Sequence, residues 1–145
     1  MLKNILITGA SGLCGNVLNV GLTKLGYKII PCDKNSKLSN AAKSFKISSS
    51  QKIKIVDLRN MKQVMEATKG VSAVIHFGGI PRHKPKEDNY KDIINHNIIG
   101  TYNIFEASRI NKVKRIIFAS SAHVVGYHNR KNVLDERCEL RPDSH

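Results

Sequence analysis

The residues best suited to chemistry near the start of the chain are the glycines of the run Thr8-Gly9-Ala10-Ser11-Gly12-Leu13-Cys14-Gly15. An apolar, strand-like run precedes them and a helix-like pattern follows. Glycine allows the backbone to turn tightly and to approach a diphosphate, and the free N–H groups and dipole of the helix start attract phosphate. The spacing Gly-x-x-Gly-x-x-Gly differs from the commoner Gly-x-Gly-x-x-Gly, and an ordinary tight turn is the alternative. The strand–turn–helix context favours a diphosphate site. Its candidate residues are Gly9, Ser11, Gly12, Leu13 and Gly15.

A single acid, Asp33, ends the second apolar run. In dinucleotide-binding folds a carboxylate at this place accepts hydrogen bonds from the adenosine ribose and repels a 2′-phosphate. The sequence therefore predicts NAD as cofactor, with NADP less favoured. Lys34 follows directly, so NADP is not strictly excluded, and a turn or helix-capping aspartate is the simpler alternative.

Five short apolar runs supply the elements that would carry these residues. We predict strands over residues 4–8, 27–32, 53–56, 73–77 and 115–119. The spacing predicts helices over 12–25, 60–70 and 89–110, with one weak helix inside the polar stretch 34–51 and loops from 120 onward. Asn60 is the expected N-cap, and Gly26 and Gly70 are expected to end helices. Apolar residues recur close to a 3.6-residue period on both longer helices. They are Leu13, Val17, Val20 and Leu25 on the first helix, and Ile93, Ile94, Ile98, Ile104 and Phe105 on the long one.

This alternation of strands and helices predicts an α/β fold with a parallel sheet and right-handed crossovers. The strands are almost continuously apolar, which is typical of a sheet covered by helices on both faces. We expect a Rossmann-like doubly wound sheet with strand order 3-2-1-4-5. Residues 1–145 are expected to form one domain.

Several motifs resemble the extended short-chain dehydrogenase/reductase family, the NAD-dependent epimerases and dehydratases. They are the glycine turn, Asp57-Leu58, His76-Phe77-Gly78-Gly79 and Asn97-Ile98-Ile99-Gly100-Thr101. The resemblance implies that Asp57 and Leu58 contact the adenine, and that Phe77, Gly78 and Gly79 form a small-residue loop beside the cofactor. It places Asn97 as a structural asparagine near the active site and cofactor. The alternative for Asn97 is a polar residue on an exposed helix face.

The segment after the fifth strand, Ala119-Ser120-Ser121-Ala122-His123, is similar to the one that holds the catalytic serine in this family. The resemblance implies that Ala119 lies at the cofactor and that Ser121 bonds the substrate hydroxyl during hydride transfer. A plain turn after a strand is the alternative.

The stretch Leu140-Arg141-Pro142-Asp143-Ser144 looks most like the uronate dehydrogenase branch. His123 matches a histidine that contacts the sugar acid in that branch, although a bland core or surface histidine fits equally. Ala122 and Pro81 replace a substrate-facing asparagine and serine. The implied substrate is a sugar or sugar acid whose identity stays open.

The family's general base, the tyrosine of Tyr-x-x-x-Lys, finds no match after Ser121. Tyr127 and Lys131 have the spacing but come too early, before the Arg-Pro-Asp run. We therefore expect the first half of a family enzyme, a domain truncated before that motif. The resemblance implies a homodimer for the full-length family and a weakened or absent dimer with marginal stability here.

Three functions remain open on this basis. One is the NAD-binding portion of a uronate or other sugar dehydrogenase. The second is a nucleotide-sugar epimerase or dehydratase that keeps NAD tightly bound, and the third is an inactive dinucleotide-binding module.

Composition excludes several other classes. The formal charge is +13, but the lysines recur singly along the chain, which favours solvated faces over nucleic-acid binding. Three scattered cysteines and six histidines without ligand spacing predict neither a disulfide framework nor a metal site. No run approaches the roughly 20 apolar residues of a membrane span. The N-terminus is interpreted as a buried strand, not a signal peptide, so we expect a cytoplasmic protein.

Overall fold

A parallel sheet of five strands forms the centre of the protein, in the order β3-β2-β1-β4-β5. The computed structural model describes residues 4–45, 51–81, 90–129 and 131–143. The strands are β1 (Asn4–Thr8), β2 (Lys28–Asp33), β3 (Lys54–Ile55), β4 (Ala73–His76) and β5 (Arg115–Phe118). Each pair of neighbours is parallel. The predicted fold class, strand order and strand positions are confirmed, and no strand end is shifted by more than one residue.

Helices cover both faces of the sheet. They are α1 (Leu13–Lys24), α2 (Asn40–Ser44), α3 (Met61–Thr68), α4 (Tyr90–Ile93) and α5 (Gly100–Ile110). Leu6 and Val74 pack with Val64 of α3 and Ile104 of α5 on one face. On the other face, Ile5, Ile7, Ile29 and Ile75 form a second cluster against Leu18 and Leu22 of α1. The near-continuous apolar character of the central strands follows from this double burial.

The predicted helix ends are confirmed by backbone geometry. The side chain of Asn60 accepts a hydrogen bond from the Gln63 N–H and so caps α3. Gly26 and Gly70 have φ values of 85° and 69°, the left-handed region that glycine adopts without strain.

The predicted apolar face of α1 is wrong at two of its positions. Leu25 is 74% exposed and Val17 is also exposed, whereas the buried positions are Gly15, Asn16 and Asn19. The close seat of Gly15 against the glycine turn sets the rotation of the helix. Apolar periodicity does not record this backbone contact.

The long predicted helix is continuous, and its middle is π-helical. A π-helical segment, Ile94–Ile99, joins α4 to α5, and the Gly100 N–H donates to the Asn95 carbonyl. The predicted start at Asn89 lies outside the described residues. Of the five expected apolar positions only Ile104 is fully buried, whereas Ile94, Ile98 and Phe105 are exposed. These three and Tyr102 form an exposed apolar face, called here the α5 face.

The residues after β5 are more ordered than the predicted loop. Ala122–Val125 forms a single 3₁₀ turn, and residues 131–143, called here the fold-back segment, return to this turn and to the residues directly after it. The Tyr127 N–H donates to the Arg141 carbonyl at 2.9 Å, and Asp143 N–H donates to the His123 carbonyl at 3.2 Å. Within the described ranges, no helix has the length and apolar character needed to cross a membrane.

Candidate functional site

The glycine turn is packed so tightly that larger residues do not fit. Gly9 has φ of 69°, and a Cβ there would lie 2.7 Å from the Phe77 carbonyl carbon and 2.8 Å from the Gly78 nitrogen. A Cβ at Gly15 would collide with the Gly9 carbonyl and lie 2.9 Å from the Ala10 Cα. These contacts bring the turn after β1, the start of α1 and the loop after β4 into one compact unit.

The start of α1 is free of side-chain caps and of acids. Gly12 is the N-cap in extended conformation, it makes no side-chain capping bond, and the first turn contains no acidic residue. The Gly12 N–H itself donates to the Gly9 carbonyl at 3.0 Å. A helix start of this kind presents backbone N–H groups and positive dipole to an anion.

Asp33 at the end of β2 is tied to this turn. Its Oδ2 accepts hydrogen bonds from the Ser11 N–H at 3.0 Å and from the Ser11 hydroxyl at 2.8 Å. Lys34 is turned away toward the long helix, where its Nζ lies 3.5 Å from His96 Nε2. The carboxylate therefore stands beside the glycine turn while the neighbouring cation is held elsewhere.

Asp57 and Leu58 follow β3 and face different surroundings. Arg59 Nε and NH2 donate to the Asp57 carboxylate at 2.9 Å and 2.6 Å. These bonds lower the pKa of Asp57 to about 2. A Cβ at Gly78 would lie 2.5 Å from Leu58 Cδ1, so Leu58 packs directly on the β4 loop. Arg59 was not predicted from the sequence, although its position two residues after an aspartate is a usable signal.

The loop after β4 is gripped by Asn97 from the π-helical segment. Asn97 Oδ1 accepts from the Ile80 N–H at 2.7 Å, and Nδ2 donates to the Ile80 carbonyl at 2.9 Å. A Cβ at Gly79 would lie 3.0 Å from Asn97 Oδ1. Asn97 is half-buried and holds the loop, and the alternative of a solvated residue on an exposed helix face does not describe it.

A buried histidine supports the same loop from behind. His76 is 1% exposed, and burial lowers its pKa to about 4. Its Nδ1 lies 2.6 Å from the Thr8 hydroxyl, which also accepts from the Gly78 N–H at 3.0 Å. His76 is thus a polar core residue directly under the glycine loops, and sequence analysis gave it no role.

The segment after β5 exposes Ser121 and His123. The Ser121 hydroxyl accepts from the His123 N–H at 3.2 Å and caps the 3₁₀ turn. His123 Nδ1 lies 2.8 Å from Asp143 Oδ1, and a Cβ at Gly126 would collide with that carboxylate. Ala119 is anchored to β4 through its N–H, which donates to the His76 carbonyl at 3.1 Å. Asp143 is a second partner that sequence analysis did not foresee.

The predicted site residues therefore share one edge of the sheet. Gly9, Asp33, Asp57, Gly78 and Ser121 each follow or end a different strand at its carboxyl end. Ligands of open α/β sheets bind outside the carboxyl ends of the strands, in the region called here the crevice. Tyr127 is 70% exposed. Its backbone is bound to the fold-back segment.

The sheet order, the glycine turn and the acid at the end of β2 define a Rossmann-like α/β protein. More narrowly, the chain belongs to the NAD dependent epimerase/dehydratase family, whose sequence model matches residues 5–145.

Individual relatives agree with this assignment. The chain is 33% identical over 144 residues to a uronate dehydrogenase of Pseudomonas syringae pv. tomato, covering 99% of this chain and 48% of the relative. It is 33% identical over 127 residues to a UDP-glucose 4-epimerase of Yersinia pestis, covering 84% and 38%. A mutant uronate dehydrogenase from Agrobacterium tumefaciens, solved in complex with NAD, superposes with a TM-score of 0.79 at 31% identity, covering 99% and 50%. The chain spans about half the length of the uronate dehydrogenases it matches.

Proposed function

We propose that this chain is the NAD-binding portion of a sugar-active oxidoreductase that transfers hydride from a sugar hydroxyl carbon to NAD. The observation that carries the proposal is the joining of the uncapped glycine turn to Asp33 through Ser11. A dinucleotide carries both a diphosphate and a ribose diol, whereas a simple anion would use only the glycine turn. Uronate dehydrogenase relatives favour a hexuronate as the substrate.

The described side chains suit NAD better than NADP. The amides at the start of α1 would bind the diphosphate, with Gly9, Ser11, Leu13 and Gly15 forming the cradle. Asp33 would accept the ribose hydroxyls, and its charge would repel a 2′-phosphate. Because Lys34 is directed to His96, it does not neutralise that repulsion.

The adenine and nicotinamide ends would be formed by the other loops. Asp57 and Leu58 would flank the adenine, and Phe77, Gly78 and Gly79 would line the dinucleotide where side chains leave no room. Asn97 keeps that lining in place through Ile80. Ala119 would lie close to the nicotinamide.

On the substrate side, Ser121 would bond the reacting hydroxyl and His123 the sugar acid. In the reaction the C–H hydride passes to NAD, and the hydroxyl proton passes to a general base. We assign that base to no residue among those described, because Tyr127 and Lys131, the one Tyr-x-x-x-Lys spacing after Ser121, come before the Arg-Pro-Asp run. Residues 1–145 would then be the cofactor domain that precedes the Tyr-x-x-x-Lys segment.

For the whole protein we propose a homodimer in which the α5 face is buried. Ile98 and Tyr102 are 61% and 62% exposed on that face, a large apolar surface for a monomer to leave in water. The proposed compartment is the cytoplasm.

Nucleotide-sugar epimerisation is the second candidate, because the match to a UDP-glucose 4-epimerase covers most of this chain. The two differ in net chemistry, since an epimerase returns the hydride and keeps its NAD. The chain joined to a continuation that bears Tyr-x-x-x-Lys should form NADH with a hexuronate if the first candidate is right. Tightly copurified NAD without net NADH formation would favour the second.

NAD binding can be tested through the three cysteines. Cys14 is exposed in the first turn of α1, Cys138 is half-buried in the fold-back segment, and Cys32 is buried with its pKa raised to about 12. Saturating NAD should slow the alkylation of Cys14 several-fold and leave Cys138 unchanged, with Cys32 unreactive throughout. Equal Cys14 rates with and without NAD, together with no heat in calorimetry, would contradict NAD binding at this turn.

A further inference from the structure

Three buried or half-buried side chains form a chain of hydrogen bonds behind the glycine loops. Thr8 at the end of β1 contacts His76 Nδ1 at 2.6 Å, and His76 Nε2 lies 3.0 Å from the hydroxyl of Thr101 on α5. The other end of the chain is the Gly78 N–H, which donates to Thr8 Oγ1 at 3.0 Å. This chain, called here the Thr101 relay, joins the long helix to the loop after β4.

The direction of each bond can be deduced from the donors available. Thr8 is fully buried, and its oxygen already accepts from the Gly78 N–H. Its own hydroxyl hydrogen therefore has His76 Nδ1 as acceptor, because a buried hydroxyl donor without a partner is costly. Nδ1 must then be unprotonated. The neutral ring therefore carries its proton on Nε2, and this N–H donates to the Thr101 hydroxyl. Burial lowers the pKa of His76, which keeps the ring neutral near pH 7.

Sheet register and ring packing fix the middle of the relay. Thr8 and His76 are paired across β1 and β4, and His76 is paired with Phe118 across β4 and β5. The two rings stack with centroids 5.7 Å apart and planes 24° from parallel. Because the imidazole is buried and stacked, we expect removal of its partner at Thr101 to alter its bond to Thr8.

The long helix consequently holds the β4 loop at two points. Asn97 bonds the backbone of Ile80, directly after the two glycines, and Thr101 is linked through His76 and Thr8 to Gly78, the first of them. The loop between these points packs against Gly9 and Leu58, which are proposed to lie at the diphosphate and at the adenine of the cofactor.

We propose that Thr101 is a positioning residue for the dinucleotide site, acting through His76 and Thr8 on the backbone of Gly78. The inference rests on the proposed NAD binding for its functional consequence. The orientation of the relay itself is independent of any ligand.

The test compares Thr101→Val, which removes the acceptor at nearly constant shape, with Thr101→Ser, which restores it. Thr68→Val is the matched control, since Thr68 is a buried threonine of α3 whose hydroxyl bonds the Val64 carbonyl, away from the crevice. We expect the Nε2–H tautomer of His76 in the wild type and in Thr101→Ser, read from imidazole ¹⁵N shifts. Thr101→Val should raise the dissociation constant for NAD about three- to tenfold, and Thr68→Val should lower the urea midpoint without changing that constant. If the valine variant does not fold, Thr101→Ala should raise the dissociation constant for NAD in the same way.

The outcomes separate the two levels of the proposal. An Nδ1–H tautomer in the wild type would overturn the relay. Wild-type NAD binding that is unchanged by Thr101→Val, or weakened equally by Thr68→Val, would overturn the positioning role and leave the proposed function intact. Absence of NAD binding by the wild-type chain would instead overturn the proposed function, and the positioning role with it.

Discussion

Asp33 Oδ2 accepts both the N–H and the hydroxyl of Ser11, so the end of β2 is bonded to the glycine turn that follows β1. The bond gives the acid two tasks. It holds the turn in the conformation that exposes the start of α1, and it keeps a negative charge beside the proposed ribose position.

Removing this carboxylate should therefore weaken NAD binding more than removal of the serine hydroxyl. Hydrogen bonds to a charged group contribute about 1.5–3 kcal/mol, so we expect Asp33→Ala to raise the dissociation constant for NAD roughly 10- to 100-fold. Ser11→Ala keeps the backbone N–H bond and should have a smaller effect. Titration calorimetry of the two variants with NAD and with NADP measures these dissociation constants. Asp33→Ala should reduce the preference of the protein for NAD over NADP. An unchanged preference would show that Asp33 does not face the ribose.

Substitution of a glycine of the turn by alanine should destabilise the protein, whereas the same substitution farther along α1 should not. Gly15→Ala puts a Cβ into the Gly9 backbone, and overpacking of this kind costs about 1–3 kcal/mol. Gly21→Ala meets no atom within 4 Å on the exposed side of the same helix, and should stabilise the protein by roughly 0.5–1 kcal/mol. Urea unfolding of the two variants measures the contrast. If Gly15→Ala were as stable as Gly21→Ala, the close seat of α1 on the turn would be wrong.

Sequence reasoning succeeded where a local pattern has one structural solution. The apolar runs of β1, β4 and β5 and the cap at Asn60 required no knowledge of neighbours. It failed on α1, because the backbone contact between Gly15 and Gly9 fixes the rotation of that helix and buries Asn16 and Asn19.

The site shows the same division. The positions of Asp33, Asn97 and Ser121 along the chain predicted that they lie near the carboxyl ends of the strands, which is where the structure has them. Their partners could not be read from the sequence, since Arg59, Asp143 and Thr101 act through side-chain geometry. Ile94 and Ile98 follow the apolar spacing of the helix and are nevertheless exposed, because apolar spacing does not distinguish a face in the core from a face without a partner.

The amide of Asn97 should be needed for its donor as much as for its acceptor. Asn97→Asp keeps an acceptor for the Ile80 N–H but places a second oxygen against the Ile80 carbonyl. We expect a loss of about 1–3 kcal/mol of unfolding free energy, together with faster hydrogen exchange at the Ile80 amide. Asn95→Asp is the control, because it adds the same charge to an exposed position of the same segment. Equal losses for the two variants would mean that helix charge, and not the bond to Ile80, is responsible.

Burial of His76 should make the stability of the protein depend on pH in a defined window. The pKa of His76 falls from 6.5 to about 4 on folding, so between these values the unfolded chain binds a proton that the folded protein does not. The contribution of the neutral His76 to the unfolding free energy should be fully present above pH 6.5. The unfolding free energy should then decrease by roughly 3 kcal/mol in all as the pH falls toward 4. The large shift of Asp57 lies lower, since its pKa moves from 3.8 to about 2 and its contribution to stability is lost only below pH 4. Urea unfolding at pH 7, 6, 5 and 4.5 should show the slope in the wild type and in Thr68→Val, and a much flatter curve in His76→Gln. A slope that persists in His76→Gln would assign the proton to another group and remove the buried neutral imidazole from the account.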